Sequence, residues 1–372
     1  ALANSLEKAP VLRAGLAGQM YSAVAKWLSW LPGGLMHANI GSSAIFAATS
    51  GSSVATAATI GTVAYPEIER RKYNEPLFLG SVAAGGTLGI MIPPSVTLIV
   101  YGVLTQTSVP ELYLAGVFPG LMLAALFSLM ILFICILKPD MGGDRISATW
   151  RERFLALIDL IPPAILFLGV IGTIYAGFAT PTEAASIGVV LSLILAAWKR
   201  KLTANMLLEA FEGTVRTTSM IMLIIFAAMI LNIVVVFFGA IQMATEFIGT
   251  LGLTPLQLIL CVIVFYLIIG MFMETFSMML TTIGVVFPLV TSMGFDPVWF
   301  GILVVLLMET ALITPPIGVN LFVVQGIRAK GAAFRDVCVG AAPFVVAMLV
   351  LVGLLIWQPE IATWLPNQVY GR

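Results

Sequence analysis

The chain has 372 residues, of which 60% are hydrophobic and 10% are charged, and its 18 basic residues balance its 18 acidic ones. Because a soluble domain carries roughly a quarter charged residues, this composition excludes an ordinary soluble protein, and the zero net charge gives no sign of a nucleic-acid partner. A single histidine and three widely separated cysteines exclude the usual multi-histidine metal site and a disulfide framework. We predict an all-α polytopic membrane protein.

The first part of the chain, residues 1–137, begins with a segment of mixed polarity that is typical of an interfacial amphipathic helix. Apolar runs then predict three membrane elements. They are a re-entrant helical hairpin over 33–66, a broken helix over 76–106 and a helix over 110–137. The next part, residues 138–203, predicts a basic cytoplasmic linker followed by two linking helices.

The last part, residues 204–372, repeats this order of elements. A mixed segment at 201–216 again predicts an interfacial helix. The apolar runs that follow predict a helix over 217–240, a re-entrant hairpin over 255–290, a broken helix over 297–327 and a helix over 336–357.

Two proline pairs show where the broken helices break. Pro93-Pro94 interrupts "GTLGIMIPPSVTLIVYG" (86–102), and Pro315-Pro316 interrupts "METALITPPIGVNLFVV" (308–324). A proline inside a helix removes a hydrogen bond, and the freed carbonyls find no water in hydrocarbon, so such a break needs a local reason.

A constant spacing relates the two parts. The proline pairs are 222 residues apart (315 − 93 = 222), and the same offset relates Tyr65-Pro66 to Phe287-Pro288, Asn74 to Asp296, and Ser53 to Thr275. This predicts two homologous halves. Carried backwards, the offset leaves residues 204–222 without a counterpart, so we expect the first half to lack its beginning.

The distribution of lysine and arginine predicts the orientation. They collect at 8–26, 70–72, 138–153, 199–201 and 328–335, which the positive-inside rule assigns to the cytoplasm. The first hairpin then enters from the cytoplasm and the second from the opposite face, so the halves have inverted topology. Inverted halves with broken helices predict a secondary transporter, in which mid-membrane carbonyls and half-helix ends bind ions or substrate.

Polar residues at the hairpin tips are the candidate site. The first tip contains Ser50, Gly51, Ser52 and Ser53, whose hydroxyls and carbonyls suit a small cation such as Na⁺, and its counterpart contains Glu274, Thr275 and Ser277. We expect Thr56 to serve helix packing only.

Glu274 and Glu309 are carboxylates in apolar surroundings. Each is either functional or a hydrogen-bonding group that holds a helix end in place. A proton-coupled mechanism would rest on these two residues.

The chain resembles the large membrane subunit of TRAP transporters, the tripartite ATP-independent periplasmic family. The motifs that carry the resemblance are "LPGGL" (31–35), "SGSSVATAATIG" (50–61), "GIMIPPS" (89–95), "TPTEAA" (180–185), "FPLV" (287–290) and "TPPIGVNLFV" (314–323). It implies an elevator-type, Na⁺-coupled transporter of the bacterial inner membrane with no organic cofactor. It also implies a small four-helix membrane subunit and a periplasmic binding protein that delivers an organic acid, such as a C4-dicarboxylate or sialic acid.

The resemblance also implies particular ligands, taken over motif by motif. One Na⁺ site would combine the first tip with the first break, through Ser50, Gly51, Ser52, Ser53, Gly89, Ile92 and Pro93. The other would combine the second tip with the second break, through Glu274, Thr275, Thr310, Ile313, Thr314 and Pro315. Substrate would lie between the tips and contact Ser52, Ser53, Thr275 and Ser277.

Other functions remain to be weighed. A stand-alone ion- or proton-coupled organic anion carrier, without a binding protein, is the alternative within transporters. A passive channel is disfavoured by two re-entrant tips. An intramembrane hydrolase is disfavoured because His37 is the only histidine and no nucleophile–base arrangement accompanies it. We therefore do not expect an enzyme.

Overall fold

A computed structural model describes residues 10–144, 146–200, 202–239, 243, 246, 250, 252–328 and 332–371. Over these residues the chain is helical, and its only extended pairing is an isolated antiparallel bridge between Tyr73 and Gly142. The prediction of an all-α chain built from apolar helices is confirmed.

The described residues of the first part of the chain form seven α-helices. They are α1 (Pro10–Leu28), α2 (Leu35–Ser50), α3 (Ser53–Ala64), α4 (Pro66–Arg70), α5 (Glu75–Met91), α6 (Val96–Thr105) and α7 (Val109–Leu137). Four of them begin at a polar residue whose side chain accepts a hydrogen bond from a backbone N–H of the first turn, namely Ser52, Asn74, Ser95 and Ser108. Such caps satisfy N–H groups that have no partner within the helix.

Three helices follow in the linking part, namely α8 (Trp150–Ala156), α9 (Ile161–Tyr175) and α10 (Pro181–Trp198). The last part contains α11 (Ala204–Phe237), α12 (Pro255–Gly270), α13 (Thr275–Ser292), α14 (Pro297–Leu312), α15 (Val319–Ile327), α16 (Phe334–Trp357) and α17 (Glu360–Tyr370).

The start of the last part differs from the prediction. Helix α11 is continuous from Ala204 to Phe237, so residues 204–216 do not form a separate interfacial helix. The charged residues of 204–216 alternate with apolar residues, and both kinds lie on the same continuous helix. The change in polarity near residue 216 therefore does not mark a helix end. The predicted end at residue 240 lies outside the described residues.

Six segments among the described residues are long and apolar enough to cross a membrane. They are Val109–Leu137, Trp150–Tyr175, Pro181–Trp198, Ala204–Leu231, Thr275–Ser292 and Phe334–Trp357. Helices α5 and α6 form a pair bent by 43° at the first proline pair. Helix α3 has 12 residues, about 18 Å at 1.5 Å per residue, and is too short to cross a hydrocarbon core of about 30 Å.

Helices α5 and α14 form the centre of the molecule, because every residue from Leu77 to Met91 and from Val298 to Leu312 is buried. Helix α5 packs against the hairpin arms α2 and α3, and α14 packs against the hairpin arms α12 and α13. Each also packs on the long helix of the other half, α5 on α16 and α14 on α7. The two halves thus have the same packing partners.

Two side-chain contacts join the outer half of each broken helix to the start of the other central helix. The Tyr101 hydroxyl in α6 donates to the Pro297 carbonyl oxygen at 2.8 Å. The buried Arg328 guanidinium, just after α15, donates to Glu75 at 2.8 Å and to Asp336 at 3.0 Å. Glu75 and Pro297 are themselves 222 residues apart. An ion pair fixes the helix start at Glu75, whereas a hydrogen bond to a backbone carbonyl fixes the one at Pro297.

Candidate functional site

The first hairpin turns in two residues. Helix α2 ends at Ser50, and Gly51 adopts a left-handed conformation with φ +60°, which lets its N–H bond to the Ala47 carbonyl. Ser52 is extended and caps α3, with its Oγ accepting from the Ala55 N–H at 3.4 Å. A glycine is needed at the left-handed position because a Cβ atom would be strained there. The tip therefore presents backbone and hydroxyl oxygens over a very short stretch.

Hydroxyl groups link the two arms at this tip. The Ser50 and Thr56 hydroxyls are 2.9 Å apart, and Thr56 donates to the Ser52 carbonyl at 2.8 Å. Ser53 donates to the Thr87 carbonyl of α5 at 3.2 Å. The expectation that Thr56 serves packing only is therefore wrong, since its hydroxyl belongs to the tip network.

The first tip touches the first helix break. A Cβ atom placed on Gly51 would lie 2.7 Å from the Pro94 carbonyl oxygen, and one on Gly89 would lie 2.6 Å from the Ser52 carbonyl oxygen. Such close approaches require glycine on both sides of the contact. Ser50, Gly51, Ser52, Ser53 and Gly89 are thus brought together.

Two further residues predicted for this site lie at the break itself. Ile92 caps the end of α5 with its N–H on the Leu88 carbonyl. Pro93 and Ile92 both pack towards α7, near Gly116 and Gly120. Their side chains therefore serve packing, and only their backbone carbonyls could act as ligands.

The second tip is longer, with residues 271–274 between α12 and α13. Glu274 caps α13, and its Oε2 accepts from the N–H groups of Phe276 at 2.9 Å and Ser277 at 3.1 Å. This is the helix-end role weighed for Glu274 from the sequence. The carboxylate is exposed and is bound to its own helix rather than directed at the second break.

Contacts also join the second tip to the second break. The Ile317 N–H donates to the Met271 carbonyl at 3.4 Å, and a Cβ atom on Gly270 would lie 2.5 Å from the Ala311 Cβ. Thr275 is 4% exposed at this tip. The tip therefore lies against the end of α14, as the first tip lies against the end of α5.

The hydroxyls of the second break are used locally. Thr310 donates to the Leu306 carbonyl at 2.8 Å, and Thr314 donates to the Thr310 carbonyl at 2.6 Å. The peptide bond between Pro315 and Pro316 is cis, like that between Pro93 and Pro94. Ile313 ends α14 with its N–H on the Thr310 carbonyl.

The four predicted substrate residues are not joined to one another. No hydrogen bond links the side chains of the two tips within the described part of the chain. The Ser53 hydroxyl gives its proton to Thr87 and keeps only lone pairs for a ligand, which suits a cation better than an anion. The Ser52 hydroxyl accepts at the helix cap and keeps its proton for an acceptor.

Two buried polar groups near the breaks fit a bound cation. Asn320 of α15 is fully buried and donates to the Ala83 carbonyl of α5 at 3.3 Å, while its Oδ1 atom has no partner among the described residues. Both carboxyl oxygens of the fully buried Glu309 likewise lack a well-formed hydrogen bond in the described structure, where only the Met91 backbone N–H lies near them. Buried oxygens of this kind are costly unless a donor or cation satisfies them.

Asn320 was not predicted from the sequence as a site residue. The available signal was an amide in the first turn of the apolar half-helix "VNLFVVQGI" (319–327), which also contains Gln325, shortly after the second proline pair. A polar residue in such a run usually hydrogen-bonds across a helix interface.

Comparison with known proteins gives a consistent result. A family model described as "Tripartite ATP-independent periplasmic transporter, DctM component" matches residues 10–361. The C4-dicarboxylate TRAP transporter large permease protein DctM of Vibrio cholerae is 32% identical over 378 residues, covering 96% of this chain and 83% of that protein. The sialic acid TRAP transporter large permease protein SiaM of the same organism is 30% identical, with 96% and 83% coverage.

The chain belongs to the DctM family of TRAP transporter large permeases. A solved structure, the Alcanivorax borkumensis YdaH transporter, has a similar fold, with a TM-score of 0.51 at 13% identity and coverage of 97% of this chain and 88% of that one. At that identity the likeness concerns the fold alone. The relatives are named as transporter permeases, so this TRAP large permease is a multi-pass membrane transporter protein rather than an enzyme.

One motif that identifies the TRAP permease serves as a helix start. In "TPTEAA" (180–185), the Thr180 hydroxyl accepts from the Glu183 N–H, and the Glu183 carboxylate accepts from the Thr180 N–H at 2.8 Å. This capping box satisfies two otherwise unpaired N–H groups at the start of α10. The motif therefore fixes an end of a membrane helix and contributes nothing to the tips.

Proposed function

We propose that this TRAP large permease performs Na⁺-coupled secondary active uptake of a small organic acid by an elevator-type alternating-access movement. The observation that carries the proposal is the contact of each hairpin tip with a proline-broken helix, at Gly51 and Gly89 in one half and Gly270 in the other. Mid-membrane helix ends and exposed carbonyls at such contacts are where secondary transporters bind ions and substrate.

The same geometry supports our inference of inverted repeats. The starts of α3 and α13, at Ser53 and Thr275, are 222 residues apart, and so are the starts of α5 and α14, at Glu75 and Pro297. The matching packing partners of α5 and α14 support the same relation. With the basic loops in the cytoplasm, one hairpin opens to each side of the membrane.

The elevator movement is supported by the unequal burial of the helices. The hairpins and broken helices pack around α5 and α14 as one buried unit. In contrast, only 6% of the membrane-spanning window of α10 and 6% of that of α11 is buried. We infer that the buried unit moves and that the exposed helices belong to a stationary frame.

The donor set supports Na⁺ as the coupling ion. The first site would use the carbonyl and hydroxyl oxygens of Ser50, Ser52 and Ser53 with carbonyls at the first break. The second would use Thr275 with carbonyls of Thr310, Ile313 and Thr314. Neutral hard oxygens of this kind match an alkali cation, whereas a proton-coupled mechanism would rest on the carboxylates Glu274 and Glu309.

An anionic substrate is supported at the tips by the helix ends. The N-termini of α3 and α13 both lie there, and their partial positive charge favours an anion. Glu274 already neutralises the start of α13, so the start of α3 with the Ser52 hydroxyl is the more favourable end for a carboxylate. Thr275 and Ser277 would complete the site from the other side.

The partners of this permease are proposed from its family. We infer a small four-helix membrane subunit on the frame and a periplasmic binding protein that delivers the organic acid, with the assembly in the bacterial inner membrane. Relatives named for C4-dicarboxylates and sialic acid support an organic acid as substrate class.

The first experiment measures the thermal stability of the purified protein in NaCl, KCl and choline chloride at equal ionic strength. An ion that binds only the folded state raises stability by RT ln(1 + [L]/Kd). Ser52→Ala and Thr275→Ala should reduce an Na⁺-specific rise, whereas Thr62→Ala in α3 and Thr291→Ala in α13 should not, since those hydroxyls bond only within their own helices. Equal curves in the three salts would refute Na⁺ coupling.

Uptake into proteoliposomes separates this proposal from the stand-alone carrier. Labelled succinate and labelled sialic acid would be offered under an inward Na⁺ gradient, with and without a binding protein loaded with the same acid. Uptake that needs the binding protein supports the tripartite mechanism. Uptake of the free acid alone, at an undiminished rate, would favour the stand-alone carrier.

A further inference from the structure

Glu309 is a fully buried carboxylate that the proposed sites do not use. It lies in the last turn of α14, and its exposed fraction is 0%. Neither carboxyl oxygen has a side-chain partner or a well-formed hydrogen bond among the residues that the structure describes, and only the Met91 backbone N–H lies near the carboxylate. This separates it from Glu274, whose carboxylate is exposed and accepts two N–H groups.

The position of Glu309 connects the two halves. Tyr101 of α6 donates to Pro297 at the start of α14, and its ring lies against Gly301 one turn later. Glu309, two turns further on, lies beside the Met91 backbone at the end of α5. A carboxylate of the second half therefore faces the first helix break, where the first tip also lies.

Within the described residues no ion pair joins this carboxylate to a basic side chain, and the buried Arg328 is already paired with Glu75 and Asp336. Helices α5, α6, α7, α12, α13, α14, α15 and α17 contain no lysine, arginine or histidine. Helix α16 contributes only Arg335, which is exposed in its first turn. Burying an unpaired carboxylate in a low-dielectric interior is far more costly than burying one that has a counter-ion. The charge is removed either by a proton on the carboxylate or by a bound cation, and the neutral oxygens at the nearby break favour the cation.

We propose that Glu309 is the anionic ligand of the Na⁺ ion at the first helix break, which rests on the proposed Na⁺ coupling. The other oxygens at this break are neutral, contributed by the Ser52 carbonyl, the Ser50 hydroxyl and the backbone around Pro93. A single carboxylate reaching across from α14 neutralises the ion and lets it stay in an apolar interior. It also makes ion binding in the first half depend on the position of the second half.

The test compares Glu309→Gln with wild type in Na⁺ titrations of thermal stability. Glutamine keeps the shape of the side chain and removes its charge. We expect the Na⁺ concentration at half-maximal stabilisation to rise about tenfold or more, since tenfold corresponds to the loss of about 1.4 kcal/mol of binding. In Na⁺-free choline chloride the variant should be more stable than wild type, because it no longer buries an unpaired charge.

Glu183→Gln is the matched control, because glutamine is accepted in a capping box and α10 lies apart from the tips. Its Na⁺ midpoint should equal that of wild type. A Glu309→Gln protein with an unchanged Na⁺ midpoint would overturn this inference while leaving Na⁺ coupling intact. A wild-type protein that responds equally to Na⁺, K⁺ and choline would instead overturn the proposed function, and this inference with it.

Discussion

Replacing Gly89 by alanine tests the contact between the first tip and the first break. The new Cβ would lie 2.6 Å from the carbonyl oxygen of Ser52, 2.7 Å from the carbonyl carbon of Ser52 and 2.8 Å from the Oγ1 atom of Thr56. Ordinary contact begins near 3.4 Å, so the tip must move away from α5 by about 0.8 Å, the difference between 3.4 and 2.6 Å. The Ser52 carbonyl oxygen belongs to the proposed ion site, and the Thr56 hydroxyl belongs to the hydrogen-bond network of the same tip.

The expected size of the effect follows from two opposing contributions. Overpacking a well-packed core costs typically about 1–3 kcal/mol, whereas alanine gains about 1 kcal/mol over glycine inside a helix. We expect a net loss of up to about 2 kcal/mol and a reduced Na⁺-specific stabilisation, because the Ser52 carbonyl is displaced.

The assay is thermal unfolding of Gly89→Ala with and without NaCl, beside Gly172→Ala in α9, where a Cβ would meet no atom within 4 Å. The control should lose no stability and keep the full Na⁺ response. If Gly89→Ala unfolds like the control and shows the wild-type Na⁺ response, the tip does not depend on this close approach and the reasoning fails.

Two further predictions concern the packing that carries the site. Gly340→Ala should destabilise the protein by more than Gly89→Ala, because its Cβ would lie 1.7 Å from the Pro76 carbonyl oxygen. Gly353→Ala in the same helix meets open space and should be neutral or stabilising. Equal unfolding temperatures for Gly340→Ala and Gly353→Ala would contradict the close crossing of α5 and α16. Arg328→Gln should cost about 1–3 kcal/mol in unfolding free energy, since Glu75 and Asp336 lose a buried partner but keep some contact with water. The control is Arg70→Gln, because Arg70 pairs with Glu67 but is 72% exposed, and this change should alter stability by less than about 0.5 kcal/mol. An equal loss of stability in Arg328→Gln and Arg70→Gln would show that burial of Arg328 contributes nothing.

The positions of the elements could be predicted because their signals are local. Apolar runs, proline pairs and polar residues before helix starts lie next to one another in the chain, and each acts over a few residues. The starts of α5 and α14 at Glu75 and Pro297, directly after Asn74 and Asp296, are of this kind. The boundary at 216 was misplaced because charged residues can occupy the exposed face of a helix that simply continues.

The roles of the polar residues could not be predicted in the same way. Glu274 and Glu309 look alike in the sequence, as single acids in apolar runs. Tertiary structure separates them, because Glu274 lies at an exposed helix start and accepts from two N–H groups, whereas Glu309 lies in a buried helix with no well-formed hydrogen bond among the described residues. Thr56 gains its role from the Ser50 hydroxyl on the neighbouring helix. Asn320 gains its role from the Ala83 carbonyl of α5 and from an Oδ1 atom that has no partner among the described residues.

The sequence by itself determined that this chain is a helical membrane protein with two apolar segments interrupted by proline pairs, and it predicted residues related by an offset of 222 positions. Only the tertiary structure decided which oxygens meet at a break, since that depends on how closely two backbones approach. The contact of Ser52 with Gly89, across 37 residues of chain, exists because no side chain separates α3 from α5 at that point. Short-range patterns encode helices, whereas burial and the availability of partners are properties of the packed molecule.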